Sequence, residues 1–341
     1  MSMNNLINKN SFLFWLFALF IVGCSEEKIK MVEHRSPELV SSLSAVKVEV
    51  PPVLFYPRSL ILLNDRLIVF NEKTDTLFLS FSLDSLAYQH QFGIRGQGAD
   101  DFVLPSIQPV SCGNDSFTLC DLKHLKSVRV EENDFYVHTT LLPYDYSYYN
   151  GLVKLGDSLY CCHAGFEDDK EMIMLYSDGT TNMFSEYPER VYPRFKNTLA
   201  RNQAYNRLSV AKPDGSRMAV FYQHVNRWRL FNNRGELLND NVMDGGLEEL
   251  PEIDDMERYI HTVSIYGTDK YIYTLNLGMK AEEIMNQEHN PNIFVFDWDG
   301  KPVKQYQLDC FISTFAVDEA NDCLYGVFID DIDHIYKFDL K

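Results

Sequence analysis

Turn signals recur in pairs along the chain with a period near 50 residues. The first kind places Asn, Asp or Gly between short apolar runs, near residues 64, 114, 156, 214, 268 and 320. The second kind follows the first five near residues 84, 132, 178, 234 and 299. A self-similar period of this length predicts a repeat protein. Two hairpins per period give four strands, and radially arranged four-stranded sheets form a β-propeller.

The sixth repeat has three recognisable strands instead of four. Val46 to Val50 forms a period-two strand ahead of the first repeat, whereas the last strand of the chain covers His334 to Phe338. We predict that these two strands pair, because closing the ring removes an otherwise unpaired sheet edge. The predicted fold is therefore all-β: a six-bladed propeller over residues 45–341, with four-stranded blades and the last blade closed by an N-terminal strand.

The composition supports strands and excludes one class of partner. Aromatic residues make up 13% of the chain, and such residues are enriched in strands. The formal net charge is −18 and the pI is near 4.9. Binding to a phosphate backbone requires clustered Lys and Arg, so we predict no nucleic-acid partner.

The N-terminus resembles a bacterial lipoprotein signal. The apolar run from Phe12 to Val22 is shorter than the roughly 20 residues of a membrane span but suits a signal peptide. The sequence Ile21-Val22-Gly23-Cys24 resembles a lipobox, which implies cleavage after residue 23 and attachment of acyl chains such as palmitate to Cys24. The alternative is an ordinary signal peptide with an incidental cysteine.

Residues 24–44 then form a lipidated flexible tether in this interpretation. Ser25 resembles an outer-membrane retention signal, and Glu26-Glu27 resembles the acidic signal that directs some lipoproteins to the cell surface. We therefore expect a lipid-anchored protein of the bacterial outer membrane, on its periplasmic or cell-surface side.

The remaining six cysteines admit two interpretations. An even number in an exported protein permits disulfides. However, Cys161 and Cys162 are adjacent and point to opposite faces of a strand, and Cys112 and Cys120 do not lie opposite each other in their hairpin. We favour free thiols, and the absence of a Cys-x-x-Cys pair leaves a zinc ribbon unsupported.

Other candidate motifs have structural interpretations. Gly93, Gly96 and Gly98 lack the Lys-Ser/Thr of a phosphate-binding loop, so we interpret them as a crossing between blades. The nine histidines show no ligand spacing, and the acidic stretch from Asp244 to Glu257 lacks the order of a calcium loop. The carboxylates Asp330, Asp331 and Asp333 are close in sequence, but an acidic protein contains such groups by chance, so they do not indicate a catalytic pair. We predict no catalytic residues, no cofactor and no metal site.

Two tyrosine-rich segments are ambiguous. Their aromatic residues either stack on sugars or peptides at one rim or pack between blades, and we favour packing. The residues are Tyr144, Tyr146, Tyr148 and Tyr149 in one segment and Tyr187, Tyr192, Phe195 and Tyr205 in the other.

Three segments resemble the six-bladed TolB-like propeller lipoproteins. They are the Gly-rich stretch from Phe92 to Phe102, the hairpin from Phe294 to Leu308, and Phe315 to Gly326. In the first, Ala99-Asp100-Asp101 replaces the Pro-Gly-Glu usual in the family. The resemblance implies the fold and implies no catalytic residues.

Two functions are compatible with these features. The preferred hypothesis is a non-enzymatic envelope lipoprotein whose propeller binds a ligand or a protein, peptide or glycan partner. The alternative is an extracytoplasmic hydrolase or lyase that acts on glycans or peptides at the central channel. The fold alone does not decide between them.

Overall fold

The computed structural model describes residues 31–51, 53–132, 134–144, 149–165, 168–188, 203–244 and 258–341. These residues form six separate sheets of four or five strands each. The six-bladed β-propeller that the sequence predicts is confirmed.

The strands alternate regularly with the predicted turns. The N-terminal segment forms β1 (Met31–His34), β2 (Leu39–Leu43) and β3 (Val46–Glu49). Blade 1 contains β4 (Pro57–Leu62), β5 (Arg66–Asn71), β6 (Thr76–Ser82) and β7 (Tyr88–Ile94). Blade 2 contains β8 (Ser111–Cys112), β9 (Ser116–Asp121), β10 (His124–Val130) and β11 (Phe135–Leu141). Blade 3 contains β12 (Val153–Gly156), β13 (Leu159–His163), β14 (Lys170–Leu175) and β15 (Thr181–Glu186).

The second half of the chain repeats the pattern. Blade 4 contains β16 (Arg207–Ala211), β17 (Arg217–Tyr222), β18 (Arg227–Asn232) and β19 (Leu237–Met243). Blade 5 contains β20 (Tyr259–Gly267), β21 (Tyr271–Lys280), β22 (Asn292–Asp297) and β23 (Pro302–Leu308). Blade 6 contains β24 (Thr314–Asp318), β25 (Cys323–Val327) and β26 (His334–Asp339). A short helix, α1 (Ala281–Met285), lies between β21 and β22 of blade 5.

The first strand of each blade lies innermost. Contacts between neighbouring blades connect β12, β16, β20, β24 and β4 around the axis. Because consecutive strands are antiparallel, the turns between first and second strands and between third and fourth strands share one face, which we call the turn face. The turns between second and third strands and the connections between blades share the other face, which we call the connection face.

The core consists of apolar layers between adjacent blades. Between blades 1 and 2, Phe70, Phe78 and Phe117 pack together. Between blades 4 and 5, the rings of Trp228 and Phe296 lie 4.8 Å apart between centroids. A strand inside a blade therefore buries both of its faces, and these strands are apolar over almost their whole length.

The ring closes as predicted. Strand β3 pairs antiparallel with β26, so that Val48 lies opposite Ile335 and Lys47 opposite Tyr336. Val50, directly after β3, is buried in the layer between blades 6 and 1. A strand that precedes blade 1 and the last strand of the chain thus complete one sheet.

The tether predicted for residues 24–44 is wrong for the part that the structure describes. Strand β1 adds to blade 4 parallel to β19, and β2 adds to blade 5 parallel to β23. These runs are short and interrupted by charged or hydroxyl residues, so neither shows a clear period of two. Their partners lie some 200 residues or more further along the chain, so no local turn signals the pairing. Residues 1–30, including Cys24, lie outside the described residues.

Within the described ranges, no helix combines the length and the apolar character that crossing a membrane requires.

Two truncated variants distinguish the contribution of ring closure to stability from that of the added edge strands β1 and β2. Removing residues up to 44 deletes β1, β2 and the buried Leu43, so we expect a folded protein destabilised by about 2–3 kcal/mol or more. Removing residues up to 50 also deletes β3 and exposes the edge of β26, and we expect loss of cooperative unfolding. Thermal melts followed by circular dichroism measure both effects, and equal melting curves would contradict the role of β3.

Candidate ligand-binding site at the propeller axis

A cavity of about 500 Å³ lies on the propeller axis. The first strands of all six blades contribute to its lining, together with turn-face residues such as Gly113, Asp157 and Asp214. It therefore extends from the middle of the propeller toward the turn face. The volume lies within the range of small-molecule binding sites.

Three serines occupy equivalent positions in the cavity lining. Ser59 lies opposite Phe70, Ser209 opposite Val220 and Ser264 opposite Leu275, so the paired residues are eleven positions apart in each of the three hairpins. All three lie among the residues that line the cavity, and all three are at least nine-tenths buried. Blades 1, 4 and 5 thus present hydroxyl groups at one level of the axis.

The three hydroxyls differ in their hydrogen bonding. The Ser209 hydroxyl lies 2.7 Å from Nε2 of His163, and the Ser264 hydroxyl lies 3.2 Å from that of Thr314. Ser59 has no hydrogen-bond partner for its Oγ among the described residues. A buried hydroxyl without a partner lowers stability, so Ser59 is the polar group of this cavity that a ligand would satisfy.

His163 is a neutral histidine packed against the backbone. Burial and the nearby positive charge of Arg207 hold the pKa of His163 well below its usual range. A Cβ added at Gly151, which has a φ of +60°, would lie 2.4 Å from the imidazole ring, so glycine is required where the backbone meets this side chain.

Cys112 is the accessible thiol of the cavity. Its side chain contacts solvent, but the surrounding protein desolvates it and raises the pKa of the thiol to about 12. A thiol with such a pKa is almost entirely protonated at neutral pH and is a poor nucleophile.

Charged groups gather at the turn-face mouth of the cavity. Lys212 and Asp214 form an ion pair of 3.0 Å. Asp214 accepts hydrogen bonds from the hydroxyl and the backbone N–H of Ser216, and these bonds lower its pKa to about 2. Asp214 therefore stays ionised at neutral pH and organises its own turn. Lys154, from the first strand of blade 3, also contributes to the lining.

The glycine motif is a crossing between blades, as interpreted from the sequence. Gly93 has a φ of +73°, and a Cβ there would lie 2.5 Å from the ring of Phe78. A Cβ on Gly96 or Gly98 would collide with the carboxylate of Asp101, which accepts a hydrogen bond from the N–H of Gly98. The space next to these glycines is filled by the protein's own side chains.

The described tyrosines of the two ambiguous segments belong to the core. Tyr144, Tyr149, Tyr187 and Tyr205 are all buried, which confirms the packing interpretation for these four residues. Tyr146, Tyr148, Tyr192 and Phe195 lie outside the described residues, as does the acidic stretch 245–257.

The cysteines, carboxylates and histidines considered from the sequence do not come together in a second site among the described residues. The six cysteines after Cys24 are free, as favoured from the sequence. Asp331 receives hydrogen bonds from the Tyr336 hydroxyl and from His334, and although burial opposes them, these bonds lower its pKa. Over the described ranges, no group of three or more His, Cys, Asp or Glu side chains is arranged to hold a metal ion.

Comparison with known proteins assigns the family. The family model described as a TolB-like 6-blade propeller matches residues 41–320, which is most of the chain. The chain belongs to the TolB-like six-bladed propeller family. Among curated proteins, none matches its sequence.

Solved structures support the same fold for this TolB-like propeller. A member of the DUF4221 family from Bacteroides vulgatus aligns with a TM-score of 0.58 at 11% identity, over 87% of this chain and 96% of that one. A protein of Bacteroides fragilis, whose designation as exported is provisional, aligns with a TM-score of 0.54 at 11% identity, over 92% of this chain and 100% of that one. Identities this low show the fold alone.

The sequence analysis missed the axial serines of this TolB-like propeller. Their signal was present, because Ser59, Ser209 and Ser264 stand at the same distance before the first turn of their repeats. It becomes informative only with the knowledge that the first strand lines the axis. The contact of Ser209 with His163 has no sequence signal, since two different blades supply the residues.

Alanine substitutions at Ser59 and Ser209 should have different effects on the stability of the protein. In Ser59→Ala the unpaired hydroxyl disappears, so we expect unchanged or higher stability. In Ser209→Ala the buried Nε2 of His163 loses its partner, and we expect a loss of about 1–3 kcal/mol. Urea denaturation of both variants measures the difference; a stabilising effect of Ser209→Ala would contradict the assigned hydrogen bond.

Proposed function

We propose that this TolB-like propeller is an extracytoplasmic, lipid-anchored binding module that takes a small polar ligand into its axial cavity. The observation that carries the proposal is Ser59, whose buried hydroxyl lines a cavity of ligand size without a partner among the described residues. The hydroxyls of Ser209 and Ser264 stand at the same level, and Tyr266 and Phe315 add aromatic surface. Hydroxyl groups beside aromatic rings suit an uncharged glycan or a peptide backbone.

The electrostatics of the cavity favour ligand binding over the reaction of a hydrolase or a lyase. Ser209 and His163 have the spacing of a nucleophile and its base, but a base must accept a proton during the reaction. Burial and the charge of Arg207 disfavour the imidazolium form. Asp214 is held in its ionised form and is a poor proton donor. These properties leave the hydrolase or lyase as the weaker alternative.

The lipid anchor rests on the sequence Ile21-Val22-Gly23-Cys24, which resembles a lipobox. The structural neighbour from Bacteroides fragilis carries a provisional designation as exported, in keeping with a location outside the cytoplasm. We propose the bacterial outer membrane as the location. Because β1 begins at Met31, the segment between Cys24 and the propeller is shorter than the predicted tether.

The ligand proposal is tested with arrays of uncharged glycans and peptides, followed by calorimetry on each binder. We expect Ser59→Ala to weaken binding about tenfold, since it removes one buried hydrogen bond. Ser85→Ala, in an exposed turn of the same blade, is the matched control and should bind as the wild type does. A bound ligand should also slow alkylation of Cys112. Failure of every probe to bind, or equal binding by Ser59→Ala, would count against the axial site.

Metabolic labelling with palmitate tests the anchor independently. The wild-type protein should carry the label and partition with membranes, whereas Cys24→Ala should lose both properties. Cys112→Ser is the matched control and should retain the label. Label that persists in Cys24→Ala would rule out acylation of that residue.

A further inference from the structure

We propose that this TolB-like propeller forms a symmetric dimer in which β11, the outer strand of blade 2, pairs antiparallel with β11 of a second copy. Strand β11 covers Phe135–Leu141 and is the last strand of its sheet among the described residues. Pairing of this kind continues the sheet of one propeller into the sheet of another. The surface lies on the outside of the ring, away from the axial cavity, so the dimer does not depend on the proposed ligand.

The other five blades have outer edges that are covered, short or interrupted. The chain's own β1 and β2 cover the outer strands of blades 4 and 5. Blade 6 ends with the four-residue strand β3, which carries Lys47 and Glu49. In blade 1 the N–H of Phe102 donates to the carbonyl of Ile94 at the end of β7, and in blade 3 the φ of Ser185 is +64°. Such features prevent a sheet edge from pairing with another chain.

Strand β11 has none of these protections. Its sequence, Phe-Tyr-Val-His-Thr-Thr-Leu, contains no Lys, Arg, Asp, Glu, Pro or Gly, and the whole strand pairs with β10 without a register shift. Aromatic and β-branched residues, which favour strands, make up most of it. The side chains of Tyr136 and Leu141 are 51% and 57% exposed. A long and regular edge without protecting residues is a template for a further strand.

The pairing with β10 shows which backbone groups of β11 face outward. The N–H of Glu131 donates to the carbonyl of Asp134 at one end of the hairpin. The N–H of Leu142 donates to the carbonyl of Lys123 at the other end. Hydrogen-bonded pairs alternate along an antiparallel ladder, so the even-numbered residues of β11 bond to β10 and the odd-numbered ones face outward. The outward-facing residues are Phe135, Val137, Thr139 and Leu141. Of their backbone groups, only the N–H of Phe135 has a partner among the described residues, the carboxylate of Asp134 at 2.8 Å.

A two-fold axis through His138 uses this row of free groups. It places Val137 opposite Thr139 of the second copy, so these two outward-facing residues exchange backbone hydrogen bonds. The N–H of Leu141 then meets the free carbonyl of Phe135 of the second copy. In the same register an aromatic side chain lies opposite an aliphatic one at each end, and cross-strand pairs of this kind stabilise sheets.

The antiparallel direction keeps the acidic turns of the two copies apart. Glu131, Glu132 and Asp134 lie at one end of β11, whereas Lys123 lies at the other. In the antiparallel dimer the two acidic turns are separated by about the length of the strand, roughly 23 Å. Parallel pairing would place them side by side. Charge therefore favours a second copy in the antiparallel direction over one in the parallel direction.

The carboxylates of the adjoining loop are also separated in the dimer. Asp100 and Asp101 follow Ala99, whose carbonyl accepts hydrogen bonds from Lys126 of β10 and from the Thr139 hydroxyl. The loop therefore lies over one face of the sheet at β10. The β10 strands of the two copies are three strand spacings apart, about 14 Å, which exceeds the Debye length of about 8 Å. Because each copy has a net charge of −18, we expect the dimer to strengthen as salt is added.

A single cysteine tests the register. His138 is the residue of β11 that lies opposite itself, so His138→Cys should form a disulfide between two copies when oxidised glutathione is added as the oxidant. Tyr136→Cys, on the same face of the strand, is the matched control, because residue 136 lies opposite Thr140 of the second copy. Non-reducing electrophoresis should show the cross-linked dimer for His138→Cys and not for Tyr136→Cys or the wild type.

A charge exchange tests the same interface by sedimentation velocity. His138→Glu and His138→Lys each place like charges opposite each other and should dimerise at least about tenfold more weakly, whereas an equimolar mixture of the two should form a dimer. Thr139→Pro removes an outward-facing N–H and no bond to β10, so it should fold but remain a monomer. Met183→Glu, on the exposed outer strand of blade 3, is the matched control and should dimerise as the wild type does.

Thermal melts followed by circular dichroism verify that each variant folds. A wild-type protein that sediments as a monomer at every concentration would overturn the proposal. So would dimers of undiminished strength in His138→Glu and Thr139→Pro, or cross-linking of Tyr136→Cys as efficient as that of His138→Cys. Ser59→Ala should dimerise as the wild type does, so failure of the dimer is distinguishable from failure of the axial site.

Discussion

Pairing of β3 with β26 is the constraint on which the propeller depends. Blade 6 has three strands of its own, and the fourth comes from the segment before blade 1. Each apolar layer is shared by two neighbouring blades, so an open ring would leave the layer between blades 6 and 1 exposed. The arrangement of all six first strands around the axial cavity depends on this closure.

The N-terminal segment extends this arrangement. It runs along the outside of blades 4, 5 and 6 and contributes one strand to each. Leu43 is buried in the layer that joins blades 5 and 6, so the segment also adds to the core. Three successive blades are therefore linked by a stretch of chain distant from them in sequence. A buried ionic group reinforces the join between blades 3 and 4, where Arg229 binds Glu171 over 2.8 Å and Asp240 over 3.1 Å.

The two faces of the propeller have different chemistry for a structural reason. Turns between the first and second strands and between the third and fourth strands are short and use Asn, Asp and Gly, so the turn face is polar and surrounds the mouth of the axial cavity. Connections between blades cross from an outer strand to an inner one and are longer, so they carry side chains that the hairpins do not require. The exposed side chains of Phe55 and Leu104 lie in such connections.

The sequence by itself determined the blade count, the four-stranded repeat, the turns and the closing strand. These properties depend on local turn chemistry and on alternation within short segments, both of which are visible without coordinates. The pairing of the edge strands β1 and β2, the meeting of Ser59, Ser209 and Ser264 at the axial cavity, and the contact of Ser209 with His163 were decided only by the tertiary structure. Each depends on which residues meet across blades. Such meetings are fixed by the ring geometry, because residues far apart in the chain become neighbours only after all six sheets have assembled.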